Sequence, residues 1–172
     1  KKERWSCLYR FKNGENTYAD VFDNAVIIRD KNGKAIRGIG ALKDITKQKK
    51  QTNHLKLLET VIENTNDAIL ISKINTDTNS KNKVIYANKG FTRLTGYSKT
   101  EIIGCTITKL WGENTNPETI NSINNNLEAL QSFVAEVLSY DKFGKEFWVS
   151  LSFTPIASSS GKYTHWVCIQ ND

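Results

Sequence analysis

Methionine, proline and histidine are all scarce in this sequence of 172 residues. It has no methionine, two prolines and two histidines. Because even an initiator methionine is missing, we expect the chain to be a piece of a longer protein. No apolar run approaches the ~20 residues that a membrane-spanning helix needs, and no secretory leader is visible. We therefore expect no membrane partner for this part of the protein.

Cysteine is also rare, and the three thiols, Cys7, Cys105 and Cys168, lie far apart in the sequence. They are too few and too scattered for the disulfide framework of a small secreted domain. Their spacing also differs from that of zinc ligands. We expect part-buried thiols in a reducing compartment, which means a cytoplasmic protein with no metal site.

Positive charge is concentrated in the first third of the chain. The net charge is +6 overall, and residues 1–56 hold 14 Lys and Arg against 6 Asp and Glu, or +8. A segment with this charge could attract nucleic acid or acidic lipid. We interpret it instead as a solvated surface and linker, because Lys47, Lys49 and Lys50 fall between two predicted structural units. No nucleic-acid partner is expected.

The chain contains an internal repeat. Three features recur in the same order: Tyr9–Gly14 with Tyr140–Gly144, Gly33 with Gly161, and Asp44 with Asp172. Paired at Gly14, Gly33 and Asp44, the copies are offset by 130, 128 and 128 residues. Each copy reads as strand, turn, long strand, turn and strand. We place the difference of two residues between the paired glycines, where a hairpin can absorb it.

The repeat predicts three segments along the chain. Residues 1–46 are the closing strands of a first domain whose opening half is missing. Residues 47–66 form a linker helix, and residues 67–172 form a nearly complete second domain of the same kind. Three strands alone are marginally stable. We therefore expect the first segment to be covered by further chain, by the second domain or by another copy.

Local patterns predict the individual elements. Turn dipeptides, caps and hydrophobic periodicity place strands at 5–12, 17–29, 35–42, 68–74, 84–87, 132–140, 146–156 and 163–171, with a polar loop at 76–81. They place helices at 46–63, 89–95, 98–104 and 117–130, with a single turn at 107–110. The fold class is therefore α+β.

Apolar side chains occur on both faces of the predicted sheet of the second domain. The strand at 146–156 alternates cleanly, yet Trp148 falls on the otherwise polar face. Because such a face needs a cover, we expect the linker-helix stripe of Leu55, Leu58 and Ile62 to pack on it, or a second copy to do so. The predicted interface is therefore Leu55, Leu58, Ile62, Trp148 and Ile169, and the predicted partner is a second copy in a homodimer.

The order of these elements, and several strings, resemble the PAS domain family. The strings in the second domain are VIYAN at 84–88, FTRLTGY at 91–97, EIIG at 101–104, YDKFG at 140–144 and TPI at 154–156. In the first segment, IRDKNG at 28–33 and DIT at 44–46 resemble the C-terminal PAS motif, which leads into a signalling helix. The resemblance implies a five-stranded antiparallel sheet with helices on one face.

Within that family, the second domain is similar to the light-sensing LOV branch, which binds flavin. The position of the photoactive cysteine is held by Ile107, and Cys105 lies two residues earlier. The resemblance places other residues where flavin ligands are usual: Thr106, Thr108, Trp111, Asn124, Ser139 and Val149. Only the glutamine of the last strand is retained, as Gln170, and the match puts it inward on the same side as Trp166.

Because most of the usual partners are replaced, we predict no flavin and no other known cofactor, although the interior is able to accept an unknown small ligand. The pocket candidates are Ile107, Asn124, Ser139, Val149, Trp166 and Gln170. A haem-binding PAS domain needs a histidine on the helix at 117–130, and the two histidines are His54 and His165. No phosphate loop, carboxylate pair or nucleophile motif is present, so no catalytic residue is predicted.

Three functional hypotheses remain. The first is a regulatory PAS module that relays ligand- or partner-induced changes through the linker helix to other domains of a larger protein. A sensor histidine kinase is the favoured parent of that module. The second is a ligand-free interaction module of a cyclic-dinucleotide enzyme or transcription regulator. The third is a flavin-binding photoreceptor, which the lost ligands disfavour.

Overall fold

A computed structural model describes residues 2–75 and 82–171 of the chain. It divides into two compact units, residues 1–59 (unit 1) and residues 60–172 (unit 2). The polar loop predicted at 76–81 lies outside the described residues. So does Asp172, the predicted counterpart of Asp44.

Unit 1 contains an antiparallel sheet of three strands in chain order. The strands are β1 (Lys2–Lys12), β2 (Tyr18–Arg29) and β3 (Ala35–Asp44). Helix α1 (Thr46–Asn64) follows at once, and its residues 60–64 belong to unit 2. Thr46 ties the start of the helix to the sheet, because its Oγ1 accepts a hydrogen bond of 2.8 Å from the backbone N–H of Asp20.

Unit 2 is a five-stranded antiparallel sheet with helices between its second and third strands. The elements are β4 (Ala68–Lys73), β5 (Lys83–Ala87), α2 (Lys89–Thr95), α3 (Lys99–Ile102), a 3₁₀ helix (Ile107–Leu110), α4 (Pro117–Glu128), β6 (Phe133–Tyr140), β7 (Glu146–Ala157) and β8 (Tyr163–Asn171). The strand order is β5-β4-β8-β7-β6. The α+β fold and the five-stranded sheet inferred from sequence are confirmed.

Local signals fix the short helices as predicted. Asn88 caps α2 by accepting a hydrogen bond from the backbone N–H of Phe91, and Gly96 ends that helix in the left-handed conformation, with φ of 73°. Glu101 completes a capping box with Ser98 at the start of α3. Asn116 and Pro117 begin α4.

The two units share one hairpin geometry, and it corrects the sequence alignment. In unit 1 the N–H of Asn13 bonds to the carbonyl of Thr17, and in unit 2 the N–H of Asp141 bonds to that of Lys145. The left-handed residue is Asn16 in one hairpin and Gly144 in the other. Gly33 and Gly161 match in the same way. The offset is therefore 128 throughout, and the pairing of Gly14 with Gly144 is wrong.

Unit 1 buries little of its sheet. Val21 is buried, whereas large apolar side chains on both faces are exposed: Trp5, Leu8, Phe11, Ile36, Ile39 and Leu42. The sequence led us to expect that other chain covers the apolar faces of this sheet. The described residues of unit 1 do not cover them. That a further segment, the second domain or a second copy covers this sheet stays a prediction.

Candidate functional site

The interior of unit 2 is formed on one side by alternate residues of β6, β7 and β8. Strand register places Val149 opposite Val137, and Leu151 opposite Gln170. All four are at most 2% exposed. This is the face that the alternation of the sequence predicted to be inward, because successive strand residues point to opposite sides.

The helices close the other side of the same core. Phe91 of α2, Ile102 of α3, Leu110 of the 3₁₀ helix and Ile123 of α4 are almost completely buried. They belong to one cluster with the inward residues of the sheet. Apolar side chains from both the sheet and the helices therefore line the interior.

Three aromatic side chains pack against one another in this interior. The rings of Phe133 and Phe153 are stacked with centroids 4.7 Å apart, and Trp166 meets both rings edge-on at 6.3 and 6.2 Å. These arrangements are favourable for aromatic pairs. Trp166 thus takes up interior space.

Polar atoms inside this core lack partners among the described residues. The side-chain atoms Oε1 and Nε2 of Gln170 are buried without a hydrogen bond to nitrogen or oxygen, and the Cys168 thiol is the polar group that interacts with this amide. The indole Nε1 of Trp166 is also buried without a partner. The indole Nε1 of Trp111 is likewise buried without a hydrogen-bond partner among the described residues. An unpartnered buried polar group costs about 1–3 kcal/mol, so each of these atoms marks a place where a polar ligand atom would be stabilised.

The polar groups that the described residues bury in unit 2 are mainly amides and hydroxyls. The buried polar residues among those described are Asn88, Thr95, Thr115, Ser139 and Gln170. Burial raises the pKa of the Cys168 thiol, which therefore stays protonated. The described residues of this site can bind by hydrogen bonds and apolar contact.

The six pocket candidates separate into two groups. Ser139, Val149, Trp166 and Gln170 are buried, and Ile107 is half-buried against the core. Asn124 is exposed on α4 and stands apart from the other five. The assignment of these residues to a ligand site stays a prediction.

The predicted interface residues lie near or at the surface. Leu55, Leu58 and Ile62 of α1 are exposed, and no residue of that helix is buried. Trp148 is 65% exposed and lies opposite Leu138 on the outer face of unit 2, and Ile169 is half-buried. Their role in an interface is likewise a prediction.

The described residues form neither a metal-binding cluster nor a membrane-spanning helix. Across residues 2–75 and 82–171, no three His, Cys, Asp or Glu side chains are grouped to hold a metal ion. None of the helices described is both long enough and apolar enough to cross a bilayer.

Sequence reasoning missed how the end of α1 attaches to unit 2. Asn88 caps α2, and its Nδ2 also donates to the carbonyl of Ile62, 2.9 Å away. Glu63 accepts a hydrogen bond of 2.7 Å from Tyr86 and pairs with Lys99. These partners are 23 to 36 residues apart, and no local pattern signals such contacts.

Comparison with known families decides the identity. The family model described as PAS domain matches residues 66–172, which is more than half of the chain. The chain belongs to the PAS domain family. Its PAS domain coincides with nearly all of unit 2 and contains the whole five-stranded sheet.

Similar curated proteins are blue-light-activated histidine kinases. The PAS chain is 40% identical over 91 residues to the one from Brucella anthropi, covering 53% of this chain and 18% of that protein. It is 31% identical over 91 residues to the one from Brucella canis, covering 53% and 19%. The chain thus spans about a fifth of the length of these relatives.

Solved LOV structures share the fold. The light-state structure of the blue-light photoreceptor Aureochrome1 LOV matches with a TM-score of 0.57 and 25% identity, over 69% of this chain and 87% of that one. A light-oxygen-voltage domain from a flavin-analogue study matches with a TM-score of 0.58 and 26% identity, over 69% and 83%. The resemblance to the LOV branch is confirmed, and the chain carries a sensory PAS module.

Proposed function

We propose that this PAS module is the sensory part of a histidine kinase and relays changes in its interior through α1 to other domains. The similarity to blue-light-activated histidine kinases supports this parent. The chain itself supplies regulation, and phosphotransfer belongs to domains elsewhere in the parent. The sequence flanking these residues tests this point, because a kinase parent must carry a phospho-accepting histidine helix.

The observation that carries the sensory role is the side-chain amide of Gln170. It is 1% exposed, it lies opposite Leu151 and Ala68, and neither of its polar atoms has a nitrogen or oxygen partner; the weakly hydrogen-bonding thiol of Cys168 is its only polar neighbour among the described residues. Leucine would fill a similar volume without the desolvation cost. A small ligand with both a donor and an acceptor would satisfy Oε1 and Nε2 together, so we assign the interior beside Gln170 to such a ligand.

Flavin is disfavoured as that ligand. The similarity to a solved blue-light photoreceptor LOV domain favours flavin. However, Ile107 stands at the position where the resemblance places the photoactive cysteine. An isoleucine side chain has no thiol to form an adduct. Visible absorption of the purified protein distinguishes flavin from another ligand. A yellow sample would favour flavin, and a colourless sample would exclude flavin as the bound ligand.

Native mass spectrometry tests the ligand directly. We expect wild-type protein to retain a small molecule that Gln170→Leu loses. The matched control is Gln131→Leu, which changes an exposed glutamine and should retain it. A wild-type mass equal to that of the bare chain would instead favour a ligand-free interaction module.

We also propose that two copies associate through α1 and the outer face of the sheet. Leu55, Leu58 and Ile62 are spaced three and four residues apart on α1, and all are exposed. This spacing places them on one side of the helix, and exposed apolar stripes of this kind mark interaction surfaces. Trp148 offers a large apolar side chain on the sheet.

Light scattering on the purified chain tests this association. Leu58→Asp or Ile62→Asp should shift a dimer toward the monomer mass, because each places a carboxylate in the apolar stripe. Phe143→Ser is the matched control, since Phe143 is 84% exposed at the tip of the β6–β7 hairpin and should leave the mass unchanged. A monomer mass for the wild type would refute the proposal.

A further inference from the structure

A groove lies between α1 and the sheet within unit 1. Strand register places Leu8 of β1 opposite Phe22 of β2, and Phe22 opposite Lys43 of β3, so these three residues form one row across the sheet. Two residues further along, Arg10 lies opposite Asp20. Because strand residues two apart point to the same side, both rows belong to one face. This face forms the floor of the groove.

A polar side of α1 forms the opposite wall. The helix residues that line the groove are Gln48, Lys49, Thr52, Asn53 and Lys56. Their spacing of one, three, one and three residues places them on one face of the helix. Lys49 pairs with Asp20 of the floor, with 2.6 Å between Nζ and Oδ1, and this contact fixes the wall above the sheet.

The floor of the groove is partly apolar and remains open. Leu8 is 66% exposed, and Phe22 and Ile45 are half-buried. The groove has a volume of about 690 Å³, which falls within the range of about 300–1,000 Å³ that is usual for small-molecule sites. An apolar helix face would bury such a floor, whereas the polar face of α1 leaves it open. A ligand that covers this apolar surface would therefore be stabilised.

Positive charge surrounds the apolar floor. Arg10 and Lys43 of the sheet and Lys49 and Lys56 of α1 line the groove together with one acidic residue, Asp20, which gives these lining residues a net charge of +3. Asp20 is already paired with Lys49. Lys43 takes part in none of the ion pairs that the described residues form. An acidic ligand group would thus meet an uncompensated cation beside apolar surface.

We propose that this groove binds a small organic anion that carries an acidic group on an apolar body. The body covers Leu8 and Phe22, and the acidic group lies between Arg10 and Lys43. The positive charge selects an anion over a neutral ligand, and the apolar floor selects an organic anion over an inorganic one. The site is separate from the interior beside Gln170, because every residue that lines it belongs to unit 1.

Titration of the purified chain with decanoate, below its micelle concentration, tests the proposal. Amide NMR locates the binding site and calorimetry measures the affinity. We expect amide shifts at residues 8–10, 20–22 and 43–49. Butyrate keeps the carboxylate but has a short body, and octyl glucoside keeps an apolar body without charge. We expect each to bind at least about tenfold more weakly than decanoate. Added salt should weaken the binding of decanoate.

A charge variant tests the role of the cations. Arg10→Gln combined with Lys43→Gln removes two positive charges from the groove, and we expect decanoate to bind about fivefold more weakly. The matched control is Lys31→Gln combined with Lys34→Gln, which makes the same charge change in the turn after β2. There we expect a change of less than about twofold. All four side chains are exposed, so the fold should tolerate both pairs of substitutions.

An apolar variant tests the floor. Leu8→Ser should weaken decanoate binding by at least about threefold, because it removes apolar surface that the body covers. Leu42→Ser is the matched control, since Leu42 is an exposed leucine of β3 outside the lining of the groove, and it should leave the affinity unchanged. Should Leu8→Ser fail to fold, the charge variants still decide.

Several outcomes would overturn the proposal. One is that decanoate shifts no amide at residues 8–10 or 20–22, and another is that butyrate or octyl glucoside binds as tightly as decanoate. The proposal also fails if the variant of Arg10 and Lys43 binds as tightly as the control variant of Lys31 and Lys34. Decanoate binding that Gln170→Leu abolishes would place the probe in the interior of unit 2 and would likewise overturn it.

Discussion

Asn16 and Gly144 occupy the same place in two hairpins 128 residues apart, and both adopt the left-handed conformation, with φ of 63° and 81°. Asparagine and glycine are the residues that tolerate this region best, because a Cβ otherwise approaches the backbone too closely. Each hairpin makes the same pattern of internal hydrogen bonds. In that pattern Gly144 corresponds to Asn16 and not to Gly14. The same backbone is therefore specified by two different residues.

This equivalence predicts how Gly144 responds to substitution. Gly144→Asn should cost well under 1 kcal/mol of unfolding free energy, since Asn16 already serves in the other copy, whereas Gly144→Ala should cost about 1–2 kcal/mol. Gly14→Ala is the control and should be nearly neutral, because Gly14 has no positive φ and no neighbour within 4 Å of an added Cβ. Urea unfolding measures all three. If Gly144→Asn and Gly144→Ala lower the unfolding free energy equally, the equivalence of Gly144 with Asn16 would be contradicted.

Gly90 is predicted to reject alanine although it lies in a helix. A Cβ at this position would be 2.2 Å from the carbonyl oxygen of Asp67, which is backbone and has no room to move aside. Gly→Ala inside a helix normally stabilises by roughly 1 kcal/mol. Here we expect a loss of about 1–3 kcal/mol from overpacking.

Thermal or urea unfolding of Gly90→Ala measures this cost. Gly38→Ala in β3 is the comparison, because no atom lies within 4 Å of its added Cβ. A stabilised Gly90→Ala variant would show that β4 and α2 are not in contact at Asp67.

Glu101 is predicted to make stability depend on pH at the acid end. Its hydrogen bonds from Lys142 and then from Ser98 lower the pKa of the carboxyl from 4.5 to about 2. Because the folded-state pKa is the lower one, this contribution is complete above about pH 4.5 and is lost as the pH falls toward 2.

The difference in urea midpoint between wild type and Glu101→Gln should therefore be largest near neutral pH and shrink on acidification. Glu136→Gln, which changes an exposed carboxylate of β6, should show a smaller difference. A Glu101→Gln difference that is constant between about pH 6 and pH 3 would contradict the assigned interactions.

Much of the PAS domain follows from local sequence signals. The caps at Asn88, Ser98 and Asn116 are correctly located, because a cap bonds to an N–H only two or three residues away. The alternation in β7 gives the inward face, and Gln170 is inward as the family match implied. These features depend on neighbours in sequence or on a period of two.

Other features depend on distant partners and escaped prediction. The hairpin of unit 1 was misaligned because glycine is the usual left-handed residue, whereas Asn16 takes that place. The contact of Asn88 with Ile62 joins residues 26 apart. The under-satisfied amide of Gln170 also required the fold, since only packing shows that no nitrogen or oxygen partner reaches it.

The unfolding free energy of Gln170→Leu tests most directly whether the interior keeps a polar group for a ligand. In ligand-free protein the amide is buried with no nitrogen or oxygen partner and only the weakly bonding Cys168 thiol beside it, so we predict that Gln170→Leu raises the free energy of unfolding by about 1–3 kcal/mol relative to wild type. A variant less stable than ligand-free wild type would contradict the account, because the amide would then be contributing to the fold itself.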